Sequence, residues 1–280
     1  MLNTFATSLE IMFDIVIPTY RINPSWLEEC LASLQRQTIS TWTAYIVDGT
    51  PLDWPQYEEL VAVVERYVSS DSRYHFLRQT GQGVSQARNQ GIAEGNSPYI
   101  AFLDGDDYWY DEHLAEMADA IATEPNGVIY WTAADCYLEL VFPKSGESHR
   151  IHRISSHIID YDYMSPQERH KAIRLSPLMT SQVAIKRIDF ESLEFGFDTE
   201  LCLGEDQDLW LRLLALRNCG VQIPAVTGEH RAHAEQTTQG GQQLGGADSD
   251  RIERLERSKE IFRERHDYYH SGNGLVRDAD

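Results

Sequence analysis

Between Phe13 and Thr123, four short apolar runs alternate with four stretches of helical spacing, which restricts the chain to an α/β architecture. Phe13–Ile17 reads as a strand stopped by Pro18. Asn23-Pro24 then caps a helix whose Trp26, Leu27, Cys30, Leu31 and Leu34 share one face. Trp42–Val47 is the second strand, ended by Asp48-Gly49, and Tyr57–Val68 the second helix, with Leu60, Val61, Val64 and Tyr67 at helical spacing. Tyr74–Leu77 with Val84–Ala93, and Tyr99–Leu103 with Asp111–Thr123, complete the series. Strand–helix repetition predicts a doubly wound, Rossmann-like, mostly parallel sheet flanked by helices. Ligands of such sheets sit outside the carboxyl ends of the strands, so weight falls on Pro18–Arg21, Asp48–Thr50 and Asp104–Asp107.

The second half is less regular. Gly127–Thr132 and Cys136–Phe142 read as strands, Pro143–Glu147 as a turn and Ser165–Leu175 as a short helix. Asp206–Leu216 is a strong helix with Leu209, Trp210, Leu213 and Leu214 on one side. Ala234–Asp250, rich in Gly, Gln and Thr, reads as a mobile loop, and Arg251–His266 as a charged terminal helix with a thin stripe of Ile252, Leu255, Ile261 and Phe262. Nothing marks a clean linker between two domains.

Composition excludes several classes of partner. With 24 basic and 44 acidic residues the chain carries a net charge of −20, which disfavours nucleic acid and anionic membranes as ligands. No run of 18 apolar residues is present, so no transmembrane segment is expected, and Met1–Glu10 lacks the basic start of a signal peptide. Cys30, Cys136, Cys202 and Cys219 are scattered without a CxxC pair and read as thiols of a reducing compartment.

Four clusters carry chemistry. In Phe102-Leu103-Asp104-Gly105-Asp106-Asp107 an apolar strand runs into three carboxylates. Either a divalent cation relieves their repulsion, with Gly105 leaving room at the backbone, or they form an ordinary acidic turn. Gly81-Gln82-Gly83-Val84-Ser85, followed by Arg88, offers backbone N–H groups and a cation to an anion, or simply caps a surface helix. Gly204-Glu205-Asp206-Gln207-Asp208 places acids at a helix start. They complement the dipole, which also keeps a carboxylate base ionised. His230-Arg231-Ala232-His233 puts His233 where it completes a metal site or is a solvated imidazole.

These clusters, in this order, resemble family 2 of the glycosyltransferases, inverting nucleotide-sugar enzymes of GT-A fold. The resemblance runs through Ile15-Val16-Ile17-Pro18-Thr19-Tyr20, Leu27-Glu28-Glu29-Cys30-Leu31, Gln37-Thr38 and Ile46-Val47-Asp48-Gly49-Thr50. It continues through Gly83-Val84-Ser85 with Ala87-Arg88-Asn89 and Gly91, the Asp104–Asp107 DxD cluster, the Glu205-Asp206 helix and the late histidine motif. It implies a domain over residues 13–235, with a nucleotide-binding half at 13–125 and an acceptor-side half at 126–235. An N-terminal extension at 1–12 and a loop with terminal helix at 236–280 flank it.

The resemblance also implies roles. Thr19 and Tyr20 border the nucleotide base, Asp48 accepts its N–H, and Arg88 and Asp104 complete the nucleotide site. Asp106 and His233 hold Mn2+ or Mg2+. Asp206 is the general base, with Glu205 and Trp210 at the acceptor. The reaction expected is metal-dependent, inverting transfer of a sugar from a nucleoside-diphosphate sugar to a hydroxyl of a glycan, lipid-linked or protein acceptor. Its setting would be bacterial-type glycan or polysaccharide synthesis, in the cytoplasm or peripherally at a membrane. The chain departs from the family pattern at Val47, where a second acid is common, and at Arg21, where Asn is common. Two other functions compete: a nucleotide-sugar binding module without turnover, and a metal-dependent nucleotidyltransferase. The second would carry a Gly-rich basic loop where this chain has Pro18-Thr19-Tyr20-Arg21.

Overall fold

A computed structural model describes residues 11–141, 148–153, 178–217, 219–233 and 249–270. The first half follows the alternation in the sequence: β1 (Phe13–Thr19), α1 (Pro24–Gln35), β2 (Trp42–Asp48), α2 (Tyr57–Ser70), β3 (Tyr74–Arg78), α3 (Val84–Glu94) and β4 (Tyr99–Phe102). The Asn23 side chain accepts a hydrogen bond from the Ser25 N–H at 3.0 Å, and Pro24 fills the first turn, where a missing N–H costs nothing. After β4 come β5 (Tyr108–Trp109), α4 (His113–Thr123), β6 (Ile129–Val141) and β7 (Ser148–Arg153). Next are β8 (Val183–Lys186), α5 (Arg187–Glu191), α6 (Glu205–Arg217), β9 (Gly220–Ala232) and α7 (Ser249–His270).

One nine-stranded sheet runs β3-β2-β1-β4-β8-β6-β9-β5, with β7 added beside β6. β1 is parallel to β2 and β4, and β2 to β3. β8 is antiparallel to β4 and β6, so a parallel nucleotide-type half joins a mixed half through one reversed strand. The division expected near residue 125 falls inside this continuous sheet. Phe13, Ile15 and Ile17 face α1, α2 and α4, while Val16, Ile100 and Phe102 face α6. This period of two buries both faces of the central strands.

Two features differ from the sequence expectation. The strands expected at Gly127–Thr132 and Cys136–Phe142 are one strand, β6, whose pairing with β9 shifts register between Trp131 and Ala133 and again between Ala133 and Asp135. Such bulges break the apolar alternation by which a strand is read. β5, β8 and most of β9 have no clear sequence signature: β5 has two residues, β8 four, and β9 contains an exposed Pro224. The expected turn at Pro143–Glu147 and helix at Ser165–Leu175 lie outside the described residues, as does the expected loop through residue 248.

α7 docks on the start of α6. The Ser258 hydroxyl accepts from the Cys202 N–H at 3.0 Å, and Arg265 reaches Asp198 at 2.7 Å and Asp208 at 2.6 Å. His266, fully buried, contacts the same Asp208 oxygen at 2.9 Å, and Arg212 takes the other at 2.9 Å. Burial opposes ionisation of Asp208, but His266, Arg212 and Arg265 outweigh it and hold the carboxyl below its ordinary range.

Candidate active site

The ends of β1, β2 and β3 lie side by side, with Thr19 in register with Asp48 and Asp48 with Arg78. Asp48 is fully buried. Its Oδ1 accepts from the Thr19 hydroxyl at 3.1 Å and the Thr50 N–H at 3.0 Å, and its Oδ2 accepts from Arg78. Thr19 is buried too and meets the site through Asp48, whereas Tyr20 is 61% exposed. Arg78 was not singled out in the sequence; its signal is its place as the last residue of β3, directly across from Asp48.

The three acids after β4 turn to three different partners. The Asp107 N–H donates to the Asp104 carbonyl at 3.0 Å, and a Cβ on Gly105 would sit 3.1 Å from both Ile22 and Thr19, a crowded approach that glycine avoids. Asp104 accepts from Arg88 at 2.8 Å, and its own N–H donates to the Ser181 hydroxyl. Burial raises the Asp104 pKa, Arg88 opposes this, and the neighbouring Asp106 and Asp107 add to it. Asp106 lies 2.9 Å from His233 Nε2, and the His233 ring lies tilted against Trp26, 4.6 Å between centroids. Asp107 is buried and accepts from Ser181 at 2.5 Å and from the Arg231 N–H at 3.0 Å, with His230 at 3.1 Å. Burial works against the charged form of His230, but Asp107 pulls it up to about 10. Arg231 braces this corner from below: it donates to the Asp106 carbonyl at 3.0 Å, pairs with Glu29 and lies 5.1 Å from the Trp26 ring.

Among the described residues, no group of three or more His, Cys, Asp and Glu is set as a metal cage. The Asp106–His233 pair nevertheless supplies one oxygen and one nitrogen donor within 2.9 Å of each other, a set that suits Mn2+ or Mg2+ as a partial shell completed by phosphate oxygens and water.

α6 is preceded by Gly204, whose φ of +76° turns the chain sharply into the helix. Asp206 Oδ2 accepts from the Thr180 hydroxyl at 2.7 Å, and its Oδ1 from the Gln207 N–H at 2.7 Å. Glu205 is buried and accepts from Arg88 at 2.9 Å. Its pKa is raised by burial and by Asp206, against the pull of Arg88.

Three of the residues singled out in the sequence make extensive contacts inside the protein. Arg88, 3% exposed, spends both terminal nitrogens on Asp104 and Glu205, so it ties β4 to α6 rather than lying open to a nucleotide. Glu205 is correspondingly paired with Arg88. Trp210 is fully buried, 5.5 Å from Phe102 and 6.0 Å from Phe197 between ring centroids. One turn into α6 the helix already lies under the sheet, so Trp210 packs in the core.

Comparison with known proteins adds to this geometry. The model of the family described as Glycosyl transferase family 2 matches residues 14–180. The amylovoran biosynthesis glycosyltransferase AmsE of Erwinia amylovora is 24% identical over 225 residues, covering 80% of this chain and 77% of AmsE. Other curated relatives match over shorter stretches, and the alignments span 26%, 14% and 36% of the length of three of them. Among solved structures, S. aureus TarS residues 1–349 in complex with UDP-GlcNAc superposes with a TM-score of 0.63 at 14% identity, covering 96% of this chain and 75% of that one. The mannosyltransferase PcManGT of Pyrobaculum calidifontis, in complex with GDP-Man and Mn2+, gives 0.56 at 16% identity over 78% of this chain and 56% of its own. These two likenesses establish a shared GT-A fold.

Proposed function

The chain belongs to glycosyltransferase family 2, and from that premise we propose that it moves a sugar, with inversion, from a nucleoside-diphosphate sugar to an acceptor hydroxyl. The observation that carries this reading is the Asp104–Arg88–Glu205 chain of ion pairs, at 2.8 and 2.9 Å, which holds the acids after β4 next to Asp206 at the start of α6. A donor-side acid cluster and a base are thereby fixed at one edge of the sheet.

In this reading Asp206 takes the proton of the acceptor hydroxyl as its oxygen attacks the anomeric carbon. The Thr180 hydroxyl fixes the orientation of that carboxylate. The sugar carries oxocarbenium character as the diphosphate leaves. Asp106 and His233 would hold a divalent ion, Mn2+ or Mg2+, which when bound offsets charge on the departing diphosphate. Asp48, Thr19 and Tyr20 form the base end of the donor site, and Asp104 lies at its ribose or metal side. The acceptor is a glycan, lipid-linked or protein hydroxyl in polysaccharide assembly. No helix of the described residues is long and apolar enough to cross a membrane, which fits action in solution or at a membrane surface on the cytoplasmic side.

Asp206→Asn tests the reading. With UDP- and GDP-sugars, Mn2+ and simple glycosides as acceptors, nucleoside diphosphate release is expected to fall by roughly 10²- to 10⁴-fold. Nucleotide affinity should stay within about threefold of wild type. Equal turnover in the variant removes Asp206 from the mechanism. Donor binding by the wild type without any turnover supports the binding-module reading instead.

A further inference from the structure

Ser181 belongs to none of the sequence clusters, yet three parts of the site meet at its hydroxyl. It lies in a 3₁₀ turn, Thr180–Gln182, that leads into β8. The hydroxyl accepts from the Asp104 N–H at 3.0 Å and donates to Asp107 Oδ2 at 2.5 Å. These directions are forced, because an amide N–H only donates and a carboxylate only accepts. Asp107 takes the Arg231 N–H on its other oxygen at 3.0 Å. One carboxylate therefore joins the turn that carries Asp106 to the strand that leads to His233, and Ser181 supplies the O–H that holds it. Ser181 and Asp107 are each 2% exposed, so loss of the O–H leaves a buried acceptor short of a donor. Other contacts fix the backbone around Ser181. Trp109 Nε1 donates to its carbonyl at 2.6 Å, and Gln182 Oε1 accepts from the Thr132 hydroxyl at 2.8 Å. Neither uses the Ser181 hydroxyl.

We propose that Ser181 is a positioning residue for the divalent ion: acting through Asp107, its hydroxyl sets the separation of Asp106 and His233. This inference rests on the donor-site reading above. Asp106 and His233 are 127 residues apart in sequence and 2.9 Å apart in space, so tertiary contacts alone fix their spacing. The knot at Asp107 is such a contact, since it binds the Asp106 turn to Arg231, two residues before His233. Groups that orient a metal ligand from behind change metal affinity by about 10- to 100-fold when they are removed. The neighbouring Thr180 faces the other way, with its hydroxyl on Asp206 at 2.7 Å. Two adjacent hydroxyls thus serve two parts of the reaction, Ser181 the metal and Thr180 the base, and their effects are separable.

The test titrates Mn2+ into wild type, Ser181→Ala, Ser181→Cys and Thr180→Val with UDP or GDP present. Calorimetry reads nucleotide binding, and nucleoside diphosphate release from the matching sugar donors reads turnover. Ser181→Ala is expected to raise the Mn2+ concentration for half-maximal binding by about 10- to 100-fold. At saturating Mn2+ its kcat should stay within about threefold of wild type. Ser181→Cys, of similar size and a weak donor, should fall between the two. Thr180→Val should leave the Mn2+ requirement within about twofold while lowering kcat. A general loosening of the 180–182 turn would instead shift both variants alike. If Ser181→Ala melts below the assay temperature, Ser181→Cys is judged by the same criterion. An unchanged Mn2+ requirement in the folded variant, or an equal rise in Thr180→Val, overturns the role of Ser181. Wild-type binding that needs no Mn2+ also overturns it, while the donor site stands. If wild type binds neither nucleotide with Mn2+, the donor-site reading falls and this inference with it.

Discussion

Replacing Arg88 by Met removes a buried guanidinium while keeping most of its length. Two charge-assisted hydrogen bonds are lost, at 2.8 Å to Asp104 and 2.9 Å to Glu205, and two carboxylates remain without their cation. Breaking a buried pair by deleting one partner costs roughly 3–5 kcal/mol. The Asp104 side chain is 32% exposed and recovers some hydration, so the lower end, about 3 kcal/mol, applies. At about 2–4 °C per kcal/mol for a domain of this size, the melting temperature should fall by roughly 6–12 °C near neutral pH.

The sign with pH is more discriminating. Burial already raises the Asp104 and Glu205 pKa values in the folded chain, and Arg88 restrains both. Without Arg88 they rise further. A carboxyl raised on folding contributes stability at low pH, and that contribution is lost as pH climbs through the folded value. The gap between wild type and Arg88→Met should therefore be small at about pH 5 and widen toward about pH 8, measured by scanning calorimetry in chelator. A depression of equal size at both pH values would mean that only packing was lost, and no depression would mean that the ion pairs contribute nothing. Either result refutes the bridge. Turnover should fall in the same variant with nucleotide affinity little changed, since Arg88 acts on the position of Asp206 through Glu205.

Further outcomes follow from other contacts. Thr180→Val removes the hydroxyl that steadies Asp206 and should lower kcat about tenfold with donor KM unchanged, by steady-state kinetics. Trp210→Ala should cost about 3–5 kcal/mol in denaturant unfolding, whereas Trp210→Phe should retain turnover, because the ring fills core space. His233→Ala should raise the Mn2+ concentration needed for half-maximal nucleotide binding at least about tenfold in metal titrations. Arg265→Met should destabilise by about 3 kcal/mol at neutral pH. Its effect has the same sign of pH trend as that of Arg88→Met but in a lower window: the Asp208 pKa is lowered on folding, so the contribution is fully present above the ordinary carboxyl range and disappears as pH falls.

The first half of the fold was legible because each strand and helix there carries a single buried face and a local stop signal, as at Pro18, Asn23-Pro24 and Gly49. The places of Asp48 and Asp104–Asp107 at the carboxyl ends of β2 and β4 were legible for the same reason. What escaped the sequence depends on distant partners. Arg88 read as a partner for either a phosphate or a carboxylate because its local setting is a Gly-rich helix start; the two acids it pairs with lie 16 and 117 residues away. Trp210 stands i+4 from Asp206, on the same helix stripe, yet the helix dives under the sheet within that one turn. β8 and β9 were hidden by shortness, by Pro224 and by the shifts in the β6–β9 register.

The grip of α7 on Asp208 has a consequence for how the enzyme matures during synthesis. α6 and its buried acid leave the ribosome tens of residues before Arg265 and His266, the two side chains that reach Asp208 from outside its own helix. Until they arrive, the helix that presents Asp206 has a buried carboxylate matched only by Arg212. The parallel part of the sheet, β1 to β4, can consolidate first. Nascent chains cut short of residue 265 should therefore bind donor while lacking an aligned base, so transfer is the last property the polypeptide acquires.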